Sequence, residues 1–175
     1  MIRFLKERLG TCEYEYPFAK KVNSILERQI KELYDPSQIP PNINAHFTGW
    51  HLDSKEVRNL VRWVSDLVCR DFISQTSTLM SSEVWGVMFK EGDYITEHAH
   101  TPSIYSFVYY VNTPKGSSPL IFSTSGYKVK PKEGKLIIFD SALLHKVPPN
   151  KCNNRCAISG NFIWDKPTGT FGVDY

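Results

Sequence analysis

The sequence is poor in every feature that would direct it to a nucleic acid, a membrane or the outside of a cell. Lys and Arg number 21 against 18 Asp and Glu, so the net charge is only +3. No basic tract occurs, and scattered charge makes no electrostatic footprint for a phosphate backbone. No stretch approaches the ~20 apolar residues of a membrane span. Met1 to Gly10 alternates apolar and charged side chains, without the continuous apolar segment of a signal peptide. The four cysteines, Cys12, Cys69, Cys152 and Cys156, include no CxxC pair. They fit free thiols in a reducing compartment better than a disulfide framework or a zinc site. The expectation is a cytoplasmic protein with no nucleic-acid or membrane partner.

What is present describes a globular domain. A chain of 175 residues, 41% hydrophobic and 22% charged, builds one core without disulfide or metal staples. The first part, residues 1–80, is helical. Phe18, Val22, Ile25, Leu26 and Leu33 repeat at helical spacing within 17–34, which starts at Pro17 and stops before Pro36. Ser54 is placed to cap a second helix over 54–74, striped by Val57, Leu60, Val61, Val64, Leu67 and Val68. From 83 to 164 the pattern changes to short apolar or aromatic runs punctuated by Gly, Pro and Asn, the signature of a β barrel or sandwich. Residues 165–175 form a tail. In the last strand Arg155, Ala157, Ser159 and Asn161 alternate with Cys156, Ile158, Gly160 and Phe162. One face is small and polar and the other apolar, as expected for a strand between an internal site and a helical layer.

Three of the five histidines stand in suggestive places. His98 and His100 are one residue apart on an expected strand, which points both rings to one side. His145 comes 45 residues after His100, and Arg155 ten residues after that. Imidazoles suit iron, zinc, copper or nickel alike, so they do not name the metal. Taken singly, each has a plainer explanation: an accidental HxH, a turn histidine before Val147-Pro148, a surface arginine. His46 and His51 have no such company and read as structural. Asp140 reads as a turn cap. Trp85, Tyr105, Tyr109 and Trp164 read as core before pocket lining.

Together these residues resemble a family. Gly92 to His100, Ser106 to Val111 with Tyr110-Val111-Asn112, Gly134 to Ser141, and Leu144 to Pro148 followed by Arg155 and Ser159 to Phe162 are similar to the iron(II)/2-oxoglutarate oxygenases. The small bacterial and phage-type members related to prolyl hydroxylases are the nearest in pattern, and Thr48-Gly49-Trp50 resembles an N-terminal feature of the phage type. The resemblance implies a mainly β double-stranded β-helix (a jelly-roll, cupin-like barrel) with the helices packed outside. It implies iron(II) held by His98 and His145, and 2-oxoglutarate held at its distal carboxylate by Arg155. Tyr94 is a further candidate for the cosubstrate, and Ser106 and Asn161 for polar contacts. The family typically carries HxD or HxE, and here His100 takes the place of the carboxylate ligand. The implied reaction uses O2 to hydroxylate a peptide or small-molecule substrate, with release of succinate and CO2. Two other readings stay open: a cupin-like metal protein, isomerase or cosubstrate-independent dioxygenase, and a structural jelly roll with a vestigial site. The substrate, the native metal and the oligomeric state are not legible.

Overall fold

The structure, a computed structural model, describes residues 10–73 and 79–164. The amino-terminal segment, the end expected for the second helix and the tail at 165–175 lie outside the described residues. Among the described residues two α-helices and eleven strands are formed. Strand β1 (Thr11–Glu15) leads to helix α1 (Ala19–Glu32), a short 3-10 turn and two brief strands, β2 (Ile43–Asn44) and β3 (His46–Phe47). Helix α2 (Lys55–Asp71) follows, and then β4 (Leu79–Phe89), β5 (Tyr94–His98), β6 (Tyr105–Asn112), β7 (Leu120–Phe122), β8 (Lys128–Val129), β9 (Lys135–Asp140), β10 (His145–Val147) and β11 (Arg155–Trp164).

The helices form where the apolar stripes predict them. Ser54 caps α2, its Oγ accepting from the Val57 N–H at 3.2 Å, which satisfies one of the free donors of the first turn. The amino-terminal part is not only helical, however. β1 pairs with β9, β2 with β5 and β3 with β4. Two-residue strands carry too little alternation to be seen in sequence, and they form because neighbouring strands offer unpaired edges.

The named strands pair antiparallel in two sheets. The larger runs β1-β9-β6-β11-β4-β3 and the smaller β2-β5-β10-β7-β8. This is the double-stranded β-helix. Alternation on the large sheet divides the interior in two. Phe107, Tyr109, Ile138 and Ile158 pack against Leu26, Ile30, Leu60 and Val64 of the helices. Val108, Tyr110, Phe139 and Ala157 face the small sheet, with Phe47, Trp85, Phe89 and Phe122. Helix α1 lies so close to β4 that a Cβ on Gly86 would come within 2.5 Å of Ile30 Cγ1. The described helices include none long and apolar enough to cross a membrane.

Candidate active site

The cavity lies between the sheets. It holds about 200 Å3 and is walled mainly by apolar side chains, with His98, His100 and His145 on one side and Arg155 and Ser159 on the other. His98 and His145 are directly opposite each other on β5 and β10. His100 lies two residues beyond the end of β5, in a turn and not on the strand as expected. It is nevertheless brought in, and one ring nitrogen from each of the three lies within 4.8 Å of the others. The ring centroids are 4.3 to 5.0 Å apart.

The rings are prepared as ligands. His98 Nδ1 lies 2.9 Å from the Thr96 carbonyl and His145 Nδ1 2.8 Å from the Leu143 carbonyl. A carbonyl only accepts, so both δ nitrogens carry the proton and both ε lone pairs are left for a cation. Burial holds the histidines in the neutral form that binds metal. It pushes His145 down to about 4, with the charge of His98 adding to the effect and the Leu143 carbonyl opposing it. His100 falls to about 3, first through burial and then through His145 and His98, and burial lowers His98 as well. Three converging neutral imidazoles are a donor set that fits a divalent transition metal.

Arg155 reaches the cavity from the large sheet. It is only 1% exposed, its guanidinium carbon 4.2 Å from the Phe89 ring centroid and 5.5 Å from that of Tyr110. No carboxylate among the described residues pairs with it, and its Nε has no hydrogen-bond partner. The Tyr110 hydroxyl lies behind it, off the cavity lining; it is buried and makes no well-formed hydrogen bond, and burial pushes its pKa up to about 12 against the pull of the neighbouring Arg155 charge. Two unpaired donors at one spot describe a seat for an anion. Tyr110 was not picked out from sequence. The signal lay in β6, where Ser106, Val108 and Tyr110 share the inward parity.

The other candidates are placed differently. Tyr94 is 38% exposed and does not line the cavity. From Val147 to His145 β10 advances two residues while β5 advances three, from Ile95 to His98. This bulge breaks the alternation and puts Ile95, not Tyr94, on the inner face with His98. Ser106 and Asn161 point inward but are spent on one another, 2.8 Å apart, and neither lines the cavity. Of the remaining histidines, His46 bonds the Ile30 carbonyl at 2.8 Å and stacks on Tyr34. Asp140 caps its turn by accepting from the Ala142 N–H at 2.8 Å.

Residues 83–127, which carry His98, His100 and Tyr110, match the family model described as "Putative 2OG-Fe(II) oxygenase". Over this segment the chain is similar to that family. The match ends before His145 and Arg155, which the fold brings to the same cavity. No curated protein matches the chain. Among solved structures, the viral collagen prolyl hydroxylase of Paramecium bursaria Chlorella virus-1, in its 2OG complex, superposes with a TM-score of 0.69 at 18% identity, covering 87% of this chain and 95% of that one. A Pseudomonas putida prolyl-4-hydroxylase gives 0.70 at 17% identity, with 90% and 94% covered. A Trichoplax adhaerens prolyl hydroxylase in complex with a hypoxia inducible factor peptide gives 0.70 at 14%, with 93% and 87% covered. At such identities the likeness is one of fold. The segment match and the shared fold point the same way, and the three histidines supply a donor set that a metal such as iron(II) could use.

Proposed function

We propose that this protein is an iron(II)- and 2-oxoglutarate-dependent hydroxylase in which His98, His100 and His145 hold the metal and Arg155, with Tyr110, holds the far carboxylate of 2-oxoglutarate. Arg155 carries the reading: a buried guanidinium with no carboxylate partner among the described residues, opening on the cavity of the three histidines. An uncompensated buried cation is expensive. A five-carbon diacid supplies the missing charge, and the planar fork of Arg155 meets its carboxylate with two N–H groups at once. A cupin-like protein has no such need for Arg155.

When bound, iron(II) with 2-oxoglutarate and O2 supplies the oxidant for a C–H bond, with succinate and CO2 as co-products. The chain's own residues bind and orient. The Thr96 and Leu143 carbonyls fix two rings with their ε nitrogens inward. Trp85 and Trp50, edge to face at 5.2 Å, give the cavity a flat apolar wall, suited to an apolar C–H group of a peptide or small-molecule substrate. That wall also keeps water from the reacting centre. Cys12, Cys69, Cys152 and Cys156 are free thiols, which supports a cytoplasmic location.

The test is a calorimetric titration of manganese-loaded protein with 2-oxoglutarate, free of O2. Arg155→Ala should weaken 2-oxoglutarate by at least about 100-fold, since two charge-assisted hydrogen bonds are lost, with metal binding unchanged. Arg155→Lys should recover only part, one ammonium being a poor copy of the fork. Equal 2-oxoglutarate affinity in wild type and Arg155→Ala would remove the basis of the reading.

A further inference from the structure

His100 is the ligand without its own support. His98 and His145 stand on paired strands, each ring tied to a carbonyl. His100 lies past its strand, and among the described residues no hydrogen bond holds its ring. Three contacts fix it. Its N–H donates to the Ser141 carbonyl at 2.8 Å, its carbonyl accepts from the Ser103 N–H at 2.9 Å, and its ring packs 5.6 Å from that of Trp85. The placement of the third imidazole therefore depends on what holds Ser141, whose N–H donates to the Ile104 carbonyl at 3.0 Å and whose side chain is held separately.

Ser141 ends a row of hydrogen bonds whose direction is forced by chemistry. The Glu83 carboxylate accepts from Asn161 Nδ2 at 2.8 Å. That turns Asn161 Oδ1 toward Ser106, whose Oγ donates its one proton there at 2.8 Å. Ser106 Oγ then has only a lone pair to offer Ser141 Oγ, 2.7 Å away, so Ser141 donates. Asn161, Ser106 and Ser141 are 2%, 1% and 0% exposed. The four residues come from β4, β11, β6 and the position after β9, and none lines the cavity. A satisfied polar row in the interior is stiff, because any rotation leaves a buried group unpaired.

We propose that the row Glu83–Asn161–Ser106–Ser141 positions His100 as the third metal ligand; this rests on the reading of His100 as a ligand given above. The row belongs to the large sheet, whereas His98 and His145 belong to the small one. Through the Ser141 carbonyl it registers the third imidazole against the other two across the gap between the sheets. Its members are positioning residues, since they touch neither metal nor substrate. The apolar walls cannot do this, because dispersion contacts fix no direction.

The experiment uses cobalt(II) as probe, reading affinity by competition with a chelator and geometry by the visible absorption of the bound ion. His100→Ala should weaken cobalt and change its spectrum to that of a two-imidazole site. Ser106→Ala should weaken cobalt about tenfold, as loss of a ligand's orienting partner does, and should move the spectrum toward that of His100→Ala. The deciding variant is the double one. Added to His100→Ala, Ser106→Ala should cost no further cobalt affinity, because the ligand it positions is gone. An equal loss in both backgrounds, or no loss in wild type, overturns the proposal. If His100→Ala itself leaves affinity and spectrum unchanged, the ligand reading fails and this inference with it. Should Ser106→Ala not fold, Glu83→Ala cuts the row at its half-buried end, and the same dependence on His100 is required of it.

Discussion

Tyr110 and Arg155 illustrate how a single residue can be unfavourable for the fold and useful to the site. A buried hydroxyl without a partner destabilises the protein that carries it. Tyr110→Phe should therefore leave the stability of the metal-free protein unchanged or raise it, measured by urea denaturation. The same change should weaken 2-oxoglutarate on the order of tenfold or more, since a hydrogen bond to a charged group is worth ~1.5–3 kcal/mol. A lower stability with unchanged 2-oxoglutarate affinity would place Tyr110 in the core and nothing more. At this scale the sequence was informative wherever chemistry is rare. Three histidines and one arginine in a known order pointed to the cavity because imidazole and guanidinium have few structural uses in an interior. Tyrosine has many, so Tyr110 passed as one more aromatic of a rich strand. Tyr94 is a candidate through the family resemblance, which presumes regular alternation up to His98, and one inserted residue in β5 is enough to turn it outward.

The elements show what apolar spacing decides and what it leaves open. Helices α1 and α2 fall inside the ranges their stripes predict, and β6, β9 and β11 lie within the expected β region, whereas β4 begins earlier, at Leu79, inside the part expected to be helical. The short strands β2, β3 and β10 did not announce themselves, because two or three residues carry no period and their partners are far away in sequence. The close approach of α1 to β4 was equally hidden, since it depends on Gly86 meeting Ile30 across the interface. Gly86→Ala should cost ~1–3 kcal/mol through overpacking, read as a shift of the urea midpoint. Ile30→Ala in the same chain removes the atoms the new methyl would strike. The double variant should then lose less than the sum of the two single losses. Strict additivity would mean that helix and strand do not meet in solution as described.

For the molecule as a whole, the three cavity histidines, one buried and two half-buried, couple stability to pH. In the unfolded chain they take up protons near pH 6.5. Folded and without metal, His145 resists down to about 4 and His100 to about 3. Between those limits the unfolded state binds more protons, so stability is present above about 6.5 and is lost as pH falls through the folded values. The Tm of the metal-free protein should drop on the order of 10 °C between pH 7 and pH 4, since ~1 kcal/mol moves Tm by ~2–4 °C at this size. His145→Asn should flatten that dependence, and an equally steep curve in the variant would assign the acid sensitivity elsewhere. The large sheet also acts as a bulkhead. Along β6, Phe107, Tyr109 and Val111 serve the helices while Val108 and Tyr110 serve the barrel, and β11 is divided in the same way. The two sets of positions interleave in sequence, yet they answer to different demands. Changes on the helical side adjust how firmly the scaffold holds, and changes on the barrel side adjust what the cavity admits. A lineage can therefore exchange substrates by altering every second residue of a strand while its neighbours keep the helices docked.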